Sequence, residues 1–142
     1  PKRLILGGMG VDGLSEWEKR AAFFIRVIEE FDAIPKGDPA YFSMQFLKSQ
    51  KVDRVAARLL LDTMEDLSLA ELANITCPLL VIQGDDDQFG SDEQVHTICA
   101  NTGGPVTKML IKDCGHIPHF DQPDQVIAAS MKHLGLNELV AC

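Results

Sequence analysis

The sequence predicts an α/β fold: a parallel sheet of about three strands, flanking helices, and a helical insertion between the first two strands. Three apolar runs, residues 3–6, 78–83 ("PLLVIQ") and 107–112 ("TKMLIK"), read as buried strands, because strands covered on both faces lack polar alternation. Helical patterns separate the runs. Between the second and third lies "SDEQVHTICANTGG", with Ser91 as N-cap and Gly103-Gly104 as exit, a compact crossover that makes those strands parallel. A final helix is expected from about 123 to 134.

The first run leads into a glycine cluster, "RLILGGMGVDGLSEWEKRA". Gly8, Gly10 and Gly13 fit G-x-G-x-x-G, the pattern that brings backbone close to a pyrophosphate at a helix N-terminus. A dinucleotide site would also need a second strand followed by an acidic residue about 20 positions on. Helix follows helix instead. Ser15 and Glu18 read as a capping box, and Trp17, Ala21, Phe24, Ile28 and Phe31 continue one helical face towards Pro35. Asp38-Pro39 then reads as an N-cap with proline at the first helical position, and Val52, Ala56, Leu59 and Leu60 carry another apolar stripe. Glu29, Glu30 and Asp32 lie near the required distance, but on a helix. The glycines therefore read as a turn requiring positive φ.

The connection over about residues 14–73 is far longer than a crossover needs and reads as an inserted cap. Seven of the nine aromatics, Trp17 through Phe46, fall in it. They serve either as the cap's own core or as the apolar wall of a pocket under a lid.

Composition narrows the partners. At 142 residues, 46% hydrophobic and 24% charged, the chain can bury one domain's core, with no repeat or low-complexity tract. A net charge of −8 without a Lys/Arg cluster argues against nucleic acid. No run approaches the roughly 20 apolar residues of a membrane span, and no signal segment is present, so no membrane partner and a soluble, cytoplasmic protein are expected. Cys77, Cys99, Cys114 and Cys142 form no C-x-x-C pair, which favours a reduced compartment over a disulfide framework. The chain opens Pro1-Lys2 without methionine, as a processed product or fragment would.

The chemistry concentrates after the second and third strands, in "GDDD" (84–87) and "DCGHIPHFDQPDQV" (113–126). Ligands bind at the carboxyl ends of strands in open parallel sheets, and neighbouring strands would bring an Asp and a His together. That pairing suits an acid orienting an imidazole that carries protons. Other chemistries fit less well. Asp85, Asp86, Asp87 and Asp92 do not match a Ca²⁺ loop and read as a solvated turn with an Asx bond. Cys114, His116 and His119 lack a fourth ligand, and Pro118 breaks the helix that would align the histidines. Cys114 is too close in sequence to His116 to face it as a nucleophile. His119 reads as a loop residue, and His96 and His133 as helix-surface residues.

These segments resemble the α/β-hydrolase family. "CPLLVIQGDDD" is similar to that family's penultimate core strand ending in G-x-x-D, which implies Asp87 as the catalytic acid. "DCGHIPHFDQPDQV" resembles its final G-H-x-x-H-x-x-x-P segment, which implies His116 as the catalytic histidine, and "RLILGGMG" is similar to the strand preceding the cap. The resemblance covers essentially the whole chain but only the C-terminal half of the family's fold, with the cap insertion at about 14–73. No G-x-S-x-G occurs: Ser15, Ser43, Ser49, Ser68, Ser91 and Ser130 sit in capping or helical contexts. The family's chain order of Ser, acid, His places the nucleophile upstream of Pro1, with the oxyanion loop.

The expected function is therefore esterase-like hydrolysis of a small hydrophobic substrate. This chain supplies the acid and the histidine only, is inactive alone, and uses no metal or organic cofactor. The expected partner is an N-terminal segment or a companion chain; a homo-oligomer through the exposed sheet edge is the other arrangement. The alternative function is a non-catalytic binding module derived from a hydrolase fold.

Overall fold

The computed structural model describes residues 1–136, so Cys142 lies outside the described residues. Three strands, β1 (Leu4–Gly7), β2 (Leu79–Gly84) and β3 (Val106–Ile111), form a parallel sheet in the order β1-β2-β3. Leu4 lies opposite Leu79, and Leu79 opposite Val106. Each strand is displaced by one residue from its expected span. A proline accounts for the shift of β2. Pro78 has no N–H to give the ladder, so it contributes its carbonyl, to Leu4 N–H at 3.0 Å, and Pro105 likewise accepts from Leu79 N–H at 2.9 Å.

All six residues of β2 are buried. Successive side chains point to opposite faces, so Leu80 and Ile82 join Ile111 and Cys114, with Val126 and Ala129 packed against them from α7 (Pro123–Leu134). Leu79 and Val81 join Val95, with Cys99 beside it on α5 (Asp92–Asn101). One helix on each face makes the unit doubly wound, and each fully buried Leu, Ile or Val contributes about 1.5–3 kcal/mol. Ser91 caps α5, its hydroxyl accepting from Gln94 N–H at 3.2 Å, while Gly135 in the left-handed region ends α7.

The chain divides into two compact units, one of Pro1–Ser15 with the residues from Leu67 onward, the other Glu16–Asp66. The second is helical: α1 (Trp17–Glu29), α2 (Tyr41–Ser49) and α3 (Arg54–Leu61). The short α4 (Leu69–Leu72) clusters with the sheet. Val27, Ile34, Ala40 and Met44 form the helical unit's core, with Phe23, Phe31 and Tyr41 against it; Phe42 and Phe46 are exposed.

Two expected helix starts differ. Ser15 and Glu18 make no capping box: Glu16 takes φ 54° before α1, and Trp17 N–H donates to the Asp66 carboxylate at 2.6 Å. An acid 49 residues away satisfies the first-turn donor, so no local cap is needed. Asp38 does not cap α2 but closes the turn before it, accepting from Ala40 N–H at 2.8 Å while pairing with Arg26. The true cap missed in the sequence is Asp53, whose carboxylate accepts from the N–H groups of Val55 and Ala56 at the start of α3.

Candidate active site

The site grows from the end of β2. Gly84 lies directly beneath the loop that follows β3, and a Cβ there would overlap the carbonyl oxygens of Cys114 and Gly115. Only glycine lets the two loops cross this closely. Backbone bonds then lace them together: Asp85 N–H donates to Ile111 O at 2.9 Å and Asp86 N–H to Cys114 O at 3.0 Å. The Asp85 carboxylate accepts from Cys114 N–H at 3.4 Å.

Asp87 comes next. Its Oδ1 accepts from Phe89 N–H at 2.8 Å, an Asx turn that folds the carboxylate inward until its side chain has no exposed surface. Both oxygens face His116 Nδ1, at 3.1 and 3.2 Å. An ionised carboxylate only accepts, so the neutral ring carries its proton on Nδ1. The His116 side chain is 43% exposed, and among the described residues nothing hydrogen-bonds its Nε2. Of the three aspartates, Asp87 alone meets the ring: Asp85 holds backbone, and Asp86 lies exposed.

The loop bearing His116 has its own supports. Asp121, at the end of α6 (Pro118–Asp121), accepts from Gly115 N–H at 2.9 Å and from the Cys114 thiol at 3.8 Å. Burial, then the charge of Asp121, pushes the Cys114 thiol above its ordinary range, so it is a neutral packing group. The Phe89 ring lies 4.7 Å from the imidazole, centroid to centroid, tilted by 56°. Below the Asp87 turn, the buried Gln83 amide donates to Gly90 O.

The arrangement can accept a proton at Nε2 and hold the resulting imidazolium against a buried carboxylate. Asp85, Gln83, Phe89 and Asp121 were not legible as site residues in the sequence, because each acts through backbone, thiol or ring contacts that no spacing pattern encodes. Other sequence candidates fall elsewhere. His119 stacks on Phe120, His96 is exposed, Asp92 pairs with Lys108, and His133 is half-buried rather than superficial because its Nε2 is covered on α7. Among the described residues no group of three or more His, Cys, Asp or Glu is placed to hold a metal. No described helix is long and apolar enough to cross a membrane. Each of the six serines lies in a helix or at a helix boundary, none at a strand-to-helix elbow.

A sequence model described as "Alpha/beta hydrolase family" matches residues 3–129. No curated protein sequence matches the chain. Among solved structures, a thermophilic esterase from Thermogutta terrifontis is similar at 23% identity and a TM-score of 0.66, over 94% of this chain and 55% of that one. A hydrolase from Pseudomonas aeruginosa PA01 is similar at 19% identity and 0.59, over 94% and 56%. A serine hydrolase involved in carbazole degradation, CarC, is similar at 17% identity and 0.55, over 95% and 54%. The chain thus spans about half the length of these structures.

Proposed function

Because the chain belongs to the alpha/beta hydrolase family, we propose that it is the acid-and-histidine half of a serine-type hydrolase acting on a small hydrophobic ester. The observation that carries the reading is the buried Asp87 carboxylate against Nδ1 of a half-exposed His116 whose Nε2 faces no partner among the described residues. In the proposed reaction a serine from polypeptide outside these 142 residues attacks the ester carbonyl while His116 Nε2 takes its proton. The imidazolium then protonates the leaving alkoxide, and water, deprotonated by the same nitrogen, releases the acid and regenerates serine. Asp87 fixes the ring's tautomer throughout.

The aromatic and apolar side chains of the helical unit are the reason for reading the substrate as hydrophobic. The unit also carries an open cleft of about 530 Å³, in which Trp17, Ala21, Ile25, Leu61 and Met64 meet the acidic Glu18, Asp62, Glu65 and Asp66. In the proposed enzyme this unit is the cap. The remaining strands come from a preceding segment or a companion chain that pairs with the outer side of β1, and pairing between two copies is the competing arrangement.

The test is the hydrolysis of p-nitrophenyl acetate by the chain alone. The expected rate is that of an equal concentration of free imidazole, because the nucleophile and oxyanion donors supply most of the acceleration. Turnover well above it that disappears in His116→Ala would place a nucleophile within this chain and overturn the division of labour.

A further inference from the structure

We propose that Gly8 is a positioning residue for His116: the glycine turn after β1 is the seat of the histidine loop rather than a phosphate cradle. Gly8 has φ +62°, and a Cβ added there would stand 2.6 Å from the His116 carbonyl oxygen and 3.3 Å from both ring Cε1 and Nδ1. The last of these is the atom that faces Asp87. Backbone at Gly8 therefore fills the space beside the ring's Nδ1 edge, where any side chain would push the loop and the imidazole away together.

The turn itself is anchored from the sheet. Gly8 N–H donates to Ile82 O at 3.2 Å, continuing the β1–β2 ladder one residue past the strand. A rigid strand end thus sets the height of the turn, and the turn sets the height of the ring. The rest of the glycine pattern serves packing. Gly10 lies against Gly90 and Gln94, and Gly13 lies within the 3₁₀ turn over Val11–Leu14, where its N–H donates to Gly10 O at 2.9 Å. Three strands' ends meet at one imidazole: β1 supports it through Gly8, β2 orients it through Asp87, and β3 delivers it.

This inference rests on reading His116 as the base, but its readout is the ring's own proton. The experiment is long-range ¹H–¹⁵N NMR of the His116 ring in the 142-residue chain. Gly8→Ala adds both a Cβ and left-handed strain; Gly8→Asn adds the Cβ where Asn tolerates that region and the N–H to Ile82 is kept. Gly135→Asn and Gly135→Ala are controls, since Gly135 has φ +74° with nothing within 4 Å of an added Cβ. Asp87→Asn supplies the reference for a ring without its carboxylate.

The wild-type chain and both Gly135 variants are expected to keep the neutral ring's proton on Nδ1. Both Gly8 variants are expected to lose that majority tautomer, as Asp87→Asn does. A folded Gly8→Asn chain with the Nδ1 proton unchanged overturns the proposal, as does a Gly8→Asn chain that loses the sheet itself rather than the loop. Loss of the tautomer in the Gly8 variants upholds it even if no complex with an N-terminal half turns over ester, which separates this proposal from the proposed function.

Discussion

The candidate pair is asymmetric: Asp87 has no exposed side-chain surface and His116 is 43% exposed. A charge so enclosed is held by its hydrogen bonds, here Phe89 N–H and the imidazole, while the ring stays open to a reactant at Nε2. The supports can be tested one by one. Asp121→Ala removes the acceptor for Gly115 N–H and should cost about 1–3 kcal/mol in urea unfolding, whereas Asp121→Asn, which still accepts, should cost less. Gly84→Ala should cost about 3 kcal/mol or more, since its methyl overlaps two carbonyls that the sheet holds in place. The Cys114 thiol, buried and pushed upward, should resist iodoacetamide in the native chain while the half-buried Cys77 reacts, as read by peptide mass spectrometry. Equal labelling of both would contradict its place in the core. Asp87 and His116 were legible because short motifs at strand ends carry them. Asp121 and Phe89 were not, since one works through a loop N–H and a thiol and the other through its own N–H and a ring face.

At the scale of elements, the helices were the more legible and their ends the less so. A stripe repeating every three to four residues survives tertiary contact, whereas a cap is one hydrogen bond that a distant residue can supply, as Asp66 does for α1. The strands were found by their apolar runs, and Pro78, which has no N–H for the ladder, moved the start of β2 by one residue. Two outcomes follow for the helical unit. Asp53→Ala should destabilise it by about 1 kcal/mol, because two N–H groups of α3 lose their acceptor. Asp38 should make its stability depend on acid. Its hydrogen bonds with Arg26 and with Ala40 N–H hold the Asp38 carboxyl below the ordinary range, so below about pH 4 the unfolded chain binds a proton that the folded one resists. Stability from this group is present above that pH and is lost as the pH falls through the depressed value. Urea midpoints against pH, followed by helical circular dichroism, should fall less steeply there in Asp38→Asn.

At the scale of the molecule, the parallel sheet brings the loops of the candidate site together at one end. Among the described residues β1 pairs with β2 alone, so its outer row of backbone groups is the place where further strands can join. The solved structures that this chain resembles are nearly twice as long. The doubly wound order and the meeting of the second and third strand ends were legible, because parallel connectivity forces them; the crossing at Gly84 was not, because it depends on how closely two loops distant in sequence approach one another. The measurement that tests the central claim most directly is esterase turnover by this chain joined to a segment that carries a nucleophile elbow and strands able to pair with β1. Turnover of a p-nitrophenyl ester is predicted to appear in that complex, to vanish with His116→Ala, and to fall on the order of 10⁴-fold with Asp87→Asn. A folded complex whose turnover is the same with either substitution would contradict the assignment of Asp87 and His116.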